Sequence, residues 1–341
     1  NEVFYQATHF ARDILGTSSI ASTSALNESP WNMSAMNDLN PCSFAVMEES
    51  DLIIFVDGGS LDRNKVIGNH VIAAVNGGSN LLLLGESESK LDHFAEIKID
   101  CSAQELSAAL QGLRALIEEG NGDVPGLILD ETPILKDLLL RSKASVIVSN
   151  VDLRTGDELK ALKGLKDHLP ACNVVALRSF ANSDGVLRLG LEAGSGTSDQ
   201  GQSARELLAH GNLKTALLIA EDPLGDEDLD GEVKKAIEGL EHLVVMDSHL
   251  SKTAEMAEVL LPSPGLHEME GSMSNSEGRL QRLRALFEPM AGKSHHQIIS
   301  GLARKLDASD GASLLDDEEA IFTELRKGYE PWSKFEYESL T

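Results

Sequence analysis

The chain has 341 residues, of which 42% are apolar and only 4% aromatic. This length is enough for two domains, with cores built mainly from Leu, Ile, Val and Ala. The formal net charge of −26 repels nucleic-acid phosphates, so no nucleic-acid partner is expected. No apolar run approaches the ~20 residues that cross a bilayer, and no signal peptide is visible. We therefore expect a cytoplasmic protein without a transmembrane segment.

The ends and the cysteines add two further expectations. The first residue is Asn1 rather than Met, which favours a piece of a longer protein. Cys42, Cys101 and Cys172 stand far apart, without the CxxC spacing of metal sites. We expect reduced, partly buried thiols, and neither an iron–sulfur cluster nor a structural zinc in this segment.

The first half of the chain predicts a doubly wound α/β domain. Residues 1–15 have helical periodicity ended by Gly16, and a polar loop follows. Continuous apolar runs then alternate with amphipathic ones, which is typical of parallel strands joined by right-handed helical crossovers. The predicted strands are 51–56, 80–84, 96–99, 126–129, 145–148 and 173–177, and the predicted helices are 65–75, 103–118, 133–141 and 156–168.

The second half predicts another α/β domain, interrupted by long polar loops. Residues 178–196 form one aperiodic loop, and residues 267–279 form a second, denser one. Between and after these loops, periodicity predicts strands at 215–220, 243–246 and 259–261, helices at 203–209, 232–239, 296–306 and 318–327, and a short helix with Ser251 as its N-cap.

No motif in the chain carries recognisable catalytic chemistry. The Gly58-Gly59 turn is not the GxGxxG fingerprint of nicotinamide-binding domains, so an NAD-binding Rossmann protein is only a second alternative. His267 and Glu270 do not have the HExxH spacing of a zinc site, and the pair His295-His296 is read as a helix cap or surface pair. Polar loops at strand ends of doubly wound sheets line the ligand crevice, so we expect the site there.

Several stretches resemble the molybdopterin oxidoreductase family. The segment AEMAEVLLPSPGLHEMEGSMSNSEGRL is similar to the family pattern A-D/E-V-V-L-P followed by E-x-D/E-G-T-F-T-N-x-E-G-R. LRSFANSDGVLRLGL resembles R-x-x-A-N-S-Q-G-A-x-D-x-G, and LLIAEDPL resembles a strand followed by G-E-D-P. The collinear matches begin at Ala254, Leu177 and Leu217, with further ones at Asn1, at Gln297 and in the final residues.

The resemblance implies the fold and the site. The fold would be two interleaved doubly wound, Rossmann-like domains with mostly parallel sheets, as in formate dehydrogenase and DMSO reductase. Residues 23–177 would form the first, inserted domain, residues 1–22 plus 178–306 the second, and residues 307–341 a linker and terminal helical segment. The family holds a molybdopterin guanine dinucleotide in the cleft between these domains. The implied cofactor-binding residues are Asn182, Gly185, Glu221, Asp222, Pro223, Glu270, Gly271, Asn275 and Glu277.

Departures from the family pattern change the expected function. Asn27 stands where the family's formate dehydrogenases have the metal-ligating Cys or selenocysteine, and an amide is a poor ligand for molybdenum or tungsten. Residues 58–66 lack the family's His-Pro, and residues 85–87 lack its D-P-R. We therefore expect a vestigial pterin cleft, no catalytic residue, no metal and no cofactor in this segment. Iron–sulfur clusters would lie in parts of the parent protein outside this sequence.

The favoured function is a non-catalytic scaffold portion of the large iron–sulfur subunit of an NADH:quinone oxidoreductase-type electron-transfer complex (complex I). Its partners would be other subunits, and the chain would be cytoplasmic, peripheral to a membrane complex. The alternative is a fragment of a formate dehydrogenase-like molybdopterin enzyme, with Cys42 as the metal ligand in place of Asn27.

Overall fold

The computed structural model describes residues 1–22, 39, 41–56, 65–86, 88–150, 156–177, 180–189, 204, 207–208, 213–226, 231–306, 314–328 and 332–340. The chain divides into two compact units. The inserted unit comprises Glu28–Phe180 and Ser276–Gly278, and the discontinuous unit comprises Asn1–Asn27, Ala181–Asn275 and Arg279–Thr341. Helix α1 (Glu2–His9) opens the discontinuous unit and continues as a π-helical turn, Phe10–Ile14.

The inserted unit is built on a five-stranded parallel sheet with the order β3-β2-β1-β4-β5. Every residue of the central strand is buried, because helices cover both faces of the sheet. The strands are β1 (Leu52–Val56), β2 (Asn80–Leu84), β3 (Ile97–Ile99), β4 (Ser145–Asn150) and β5 (Asn173–Leu177). The helices are α2 (Phe44–Glu48), α3 (Lys65–Asn76), α4 (Leu106–Glu118), α5 (Thr132–Arg141) and α6 (Gly156–His168).

The alternation of side chains along β1 produces two cores in this unit. Ile54 packs in a cluster with residues of α4, α5 and α6. Phe55 packs in the opposite cluster with Met47 of α2 and Val71 of α3. Burying each such side chain contributes about 1.5–3 kcal/mol. Helices on both faces of a parallel sheet confirm the predicted doubly wound fold class.

The discontinuous unit combines a three-stranded parallel sheet, order β6-β7-β8, with an antiparallel hairpin. The apolar helix faces predicted at both ends of the chain pack in this unit, Phe10 with Ile299 and Phe322 with Leu280. Its strands are β6 (Thr215–Ile219), β7 (His242–Asp247), β8 (Val259–Pro262), β9 (Gly271–Ser274) and β10 (Leu280–Leu283). Its other helices are α7 (Ser183–Arg188), α8 (Gly231–Glu238), α9 (Lys252–Glu255), α10 (His295–Leu306) and α11 (Glu318–Gly328).

Three predictions of local structure were wrong. The strand predicted at 126–129 is a turn, since Gly126 has φ 81° and a Cβ there would lie 2.1 Å from the carbonyl oxygen of Asp100. The polar loops at 178–196 and 267–279 contain α7 and the β9–β10 hairpin. The helix predicted at 203–209 is not among these wrong predictions: it lies mostly outside the described residues, and Ala204, Leu207 and Leu208 within it are helical.

Two other expectations, the cap of a short helix and the state of the cysteines, fit the structure. The Ser251 side chain accepts a hydrogen bond from Ala254 N at 3.3 Å and caps α9, as predicted. All three cysteines are free and buried. Among the described residues, no helix combines the length and the apolar character that a membrane span requires.

Two alanines have left-handed backbones, Ala220 with φ 54° and Ala171 with φ 42°. This conformation costs an L-residue about 1–2 kcal/mol. Ala220→Gly removes this steric cost, but glycine loses more backbone entropy on folding than alanine does. The net gain in stability is therefore smaller than the steric cost. We expect Ala220→Gly to raise the free energy of unfolding by about 0.5–1 kcal/mol in urea titrations. Ala115→Gly, inside α4, should instead lower it by about 1 kcal/mol, and equal effects of the two changes would contradict the strain.

Candidate functional site

A network of amides and hydroxyls joins three remote stretches of the discontinuous unit. The Asn182 side-chain amide donates to Asn1 Oδ1 at 3.1 Å and accepts, through its Oδ1, from Ser274 N at 2.8 Å. The backbone nitrogen of Asn1 donates to the Ser272 carbonyl at 2.8 Å. Both sides of the Asn182 amide are thus bonded within the polypeptide.

Gly185 makes this network possible. A Cβ at this position would lie 2.0 Å from Asn1 Oδ1 and 2.4 Å from Asn182 Oδ1. Heavy atoms cannot approach that closely, so a side chain at this position would displace the two amides from their present hydrogen bonds. The position predicted to contact a cofactor is packed against side chains of the same chain.

Two buried carboxylates extend the network along β9. Glu2 accepts from Ser272 N at 2.7 Å and from Ser272 Oγ at 2.6 Å. Asp184 accepts from Ser274 Oγ and, at 2.5 Å, from Arg188 Nε. Such charge-assisted bonds contribute about 1.5–3 kcal/mol each. Gly271, a predicted cofactor contact, begins β9. A Cβ at this position would lie 2.8 Å from Glu2 Oε2, so Gly271 also packs against this carboxylate.

Asp222 is the centre of a second set of hydrogen bonds, at the end of β6. Its Oδ1 accepts from Thr253 N at 2.9 Å, from Thr253 Oγ1 at 2.7 Å and from Gly225 N at 3.2 Å. Burial alone would raise the pKa of Asp222, but these donors outweigh it and lower the pKa. Asp222 is therefore a carboxylate that fills the start of α9, with half-buried Glu221 and buried Pro223 on either side.

Glu270 takes part in a charged cluster with Arg282. Arg282 donates to Glu270 Oε1 at 2.6 Å, and its guanidinium carbon lies 4.4 Å from the centre of the Tyr337 ring. The hydrogen bond to Glu270 raises the pKa of Arg282. Burial raises the pKa of Tyr337, which stays a neutral phenol at physiological pH. The predicted cofactor contact Glu270 thus neutralises a partly buried arginine.

Asn275 and Glu277 both lie in the β9–β10 turn but have different partners. Asn275 Oδ1 accepts from Arg279 N at 3.0 Å, and Asn275 N donates to the Arg279 carbonyl at 3.1 Å, which closes the hairpin. Glu277 belongs to the inserted unit, where its Oε1 accepts from Phe44 N at 2.7 Å at the start of α2.

Only some of the positions that depart from the family pattern are among the described residues. Asn27, residues 57–64 and Ser87 lie outside the described residues. Cys42, the alternative metal ligand, is buried in an apolar cluster, and burial raises the pKa of its thiol to about 11. Among the described residues, no group of three or more His, Cys, Asp or Glu is arranged to hold a metal ion.

His295 and His296 are buried at the start of α10, so the prediction of a surface pair was wrong. Their exposures are 2% and 1%, and His296 Nε2 lies 3.8 Å from Glu318 Oε1. Desolvation lowers the pKa of His295 to about 4 and that of His296 to about 3, so both are neutral at pH 7. Desolvation also raises the pKa of Glu318.

Sequence reasoning missed the partners of the predicted residues. Glu2 and Asp184 lie inside stretches that resemble the family but were not predicted as site residues, and Thr253 lies inside a predicted helix. One signal was available, since Ser272 and Ser274 alternate with period two and indicate a strand with a polar inner face. The strand was not predicted because hydrophobic periodicity does not detect a strand whose buried face consists of serines.

Together, the fold and these contacts define a protein of two α/β units whose predicted site residues gather at strand ends and in the hairpin. The molybdopterin oxidoreductase family profile matches residues 1–305. The chain therefore belongs to the molybdopterin oxidoreductase family.

Two curated relatives agree with this assignment. Formate dehydrogenase H of Escherichia coli (strain K12) is 23% identical over 90% of this chain and 53% of its own length. A subunit of the NADH-quinone oxidoreductase of Rhizobium meliloti (strain 1021) is 24% identical over 90% of this chain and 42% of its own length. The chain thus spans about half the length of these relatives.

A solved structure shares the fold. A chain of the formyltransferase/hydrolase complex FhcABCD from Methylorubrum extorquens, in complex with methylofuran, superposes with a TM-score of 0.66 at 16% identity. The match covers 89% of this chain and 88% of the other.

Gly185→Ala tests the packing of the amide network. We expect a loss of at least 2–3 kcal/mol of unfolding free energy, because the added methyl displaces both amides and leaves buried polar groups unsatisfied. Gly301→Ala is the matched control, since a Cβ there meets nothing within 4 Å inside α10 and should stabilise by up to ~1 kcal/mol. Urea titrations give both values, and a neutral Gly185→Ala would refute the close packing.

Protonation of the buried histidines should destabilise the fold in acid. The unfolded chain takes up protons near pH 6.5, whereas the folded pKa values are about 4 and about 3. Stability is therefore present above pH 6.5 and is lost as the pH falls toward 4. Between pH 7 and pH 5 the loss is about 2 kcal/mol per histidine.

His296→Gln should remove about one histidine's share of this pH dependence, whatever its effect at pH 8. Urea titrations of the wild type and the variant at pH 8, 7 and 5 measure the difference. Parallel curves would show that His296 is not shielded from solvent in the folded state.

Proposed function

We propose that this chain is a non-catalytic scaffold part of the large subunit of an NADH:quinone oxidoreductase-type electron-transfer complex, in the cytoplasm, and that its pterin site is vestigial. The match to the Rhizobium meliloti NADH-quinone oxidoreductase protein along 90% of the chain supports this assignment. In this proposal the polar residues at the strand ends hold the polypeptide together, and other subunits are its partners.

The observation that carries the proposal is that the predicted site residues form their hydrogen bonds with other residues of the same chain. Asp222 accepts three hydrogen bonds from Thr253 and Gly225. Asn182 bonds to Asn1 and Ser274, and Glu270 bonds to Arg282. A cofactor phosphate needs free donors. Around Asp222 a carboxylate of the chain already takes those donors, which supports the proposal that the pterin site is vestigial.

The assembly part of the proposal rests on the names of similar proteins. One relative is named as a subunit of NADH-quinone oxidoreductase, and the solved FhcABCD chain belongs to a multi-chain complex. Both matches extend along about nine-tenths of the chain. A protein with this fold can therefore serve within a larger assembly, and we propose the same use here.

The alternative, a formate dehydrogenase-like fragment, is favoured by the match to formate dehydrogenase H of Escherichia coli. With Asn27 at the ligand position, it needs another thiolate, and Cys42 was the candidate. A thiol with a pKa of about 11 in an apolar cluster is a poor source of thiolate. The alternative therefore requires a ligand from elsewhere in a longer protein.

Metal and pterin content distinguish the two functions. In the longest natural form of the protein, purified from its own cells, we expect far less than one molybdenum or tungsten atom per chain by mass spectrometry. Oxidised-pterin fluorescence should be at background. A cofactor-bearing formate dehydrogenase prepared in parallel serves as the positive control. Stoichiometric metal with pterin would overturn the scaffold proposal in favour of the enzyme.

Asp222→Ala adds a test of structural role. The variant leaves Thr253 and Gly225 donors unsatisfied, so we expect a loss of about 2–3 kcal/mol of unfolding free energy. Asp137→Ala, which removes a half-exposed carboxylate, should change it by less than about 1 kcal/mol. Unchanged stability of Asp222→Ala would contradict the structural role.

A further inference from the structure

Strand β8 is the last strand of its sheet, and within the described part of the chain β7 is the only strand that pairs with it. Glu258 N donates to the Leu243 carbonyl at 2.9 Å. Because backbone groups alternate sides along a strand, those of Val259 and Leu261 point away from β7. Such an edge is a template for a further strand.

The side chains of this edge are apolar and accessible. Val259 is 47% exposed and Leu260 is 39% exposed, and as neighbours in a strand they lie on opposite faces of the sheet. Natural edge strands are normally protected by lysines, inward charges or prolines. Here the strand carries no charge, and its single proline, Pro262, comes at its end. The composition of this edge is therefore that of a binding surface and not that of an edge strand protected from pairing.

The chain around this edge is acidic. Glu255 and Glu258 are exposed just before the strand. His242 Nδ1 lies 2.7 Å from Glu258 Oε2, and Lys252 is the nearest lysine or arginine in the sequence. The whole chain carries a net charge of −26. A second copy would bring the same charge to the same place and be repelled, whereas a basic partner would be attracted.

We propose that the edge of β8 binds an extended apolar segment of a different protein, flanked by Lys or Arg, which adds as a strand to the sheet. Main-chain hydrogen bonds to Val259 and Leu261 would supply affinity, and contacts to Val259 and Leu260 side chains would supply specificity. This surface does not depend on whether the protein keeps a cofactor.

Photo-crosslinking in the native cell identifies the occupant. A benzoylphenylalanine replaces Leu260 in the full natural protein, and crosslinked peptides are sequenced by mass spectrometry. Leu129, which is 87% exposed, takes the same replacement as the control in the inserted unit. We expect one adduct from position 260, to an apolar segment with flanking Lys or Arg, and at least a fivefold lower yield with Val259→Lys.

Hydrogen exchange in the isolated complex tests strand addition itself. The amides of Val259 and Leu261 should exchange at least tenfold more slowly in the complex than in the free chain. Unchanged exchange would overturn strand addition even if side chains dock there. A crosslink to a second copy, to an acidic segment, or to nothing beyond the control pattern would overturn the proposed partner.

Discussion

The discontinuous unit depends on one set of buried hydrogen bonds around strand β9. Ser272 and Ser274 are donors to Glu2 and Asp184, and Asn182 bonds both to Ser274 N and to Asn1. These residues come from three stretches that are separated by 90 to 271 positions in sequence. An interleaved fold must bring its separated stretches together, and here buried polar contacts do so beside the apolar clusters that contain Phe10 with Ile299 and Phe322 with Leu280.

Buried polar contacts have a strict requirement. A buried carboxylate is tolerated only when its oxygens are bonded, because an unsatisfied charge in a low-dielectric interior is strongly destabilising. The backbone and side chain of Ser272 meet this requirement for Glu2 with two bonds. The close approach allowed by Gly185 meets the matching requirement for the amides. Small residues at these positions are thus as necessary as the charges.

The difference between apolar and polar packing explains which elements could be predicted from the sequence. The parallel sheet of the inserted unit was predictable, because its strands are continuous apolar runs such as Leu52–Val56. The β9–β10 hairpin was not, because its inner face is made of serines that hydrophobic periodicity treats as loop. The site residues were located by resemblance to a family. Their partners, Thr253 for Asp222 and Arg282 for Glu270, are long-range contacts that no local pattern encodes.

The geometry around Asp222 shows how a ligand-binding fold can remain stable without its ligand. Backbone N–H groups at a turn attract an anion, whether a phosphate or a carboxylate. At this turn Asp222 supplies the anion from within the chain, and its lowered pKa keeps it charged across the physiological range. A site satisfied in this way loses no hydrogen bonds when no ligand is present. In the proposed scaffold the polar residues would therefore be retained for stability, since each removed carboxylate would leave buried donors without a partner.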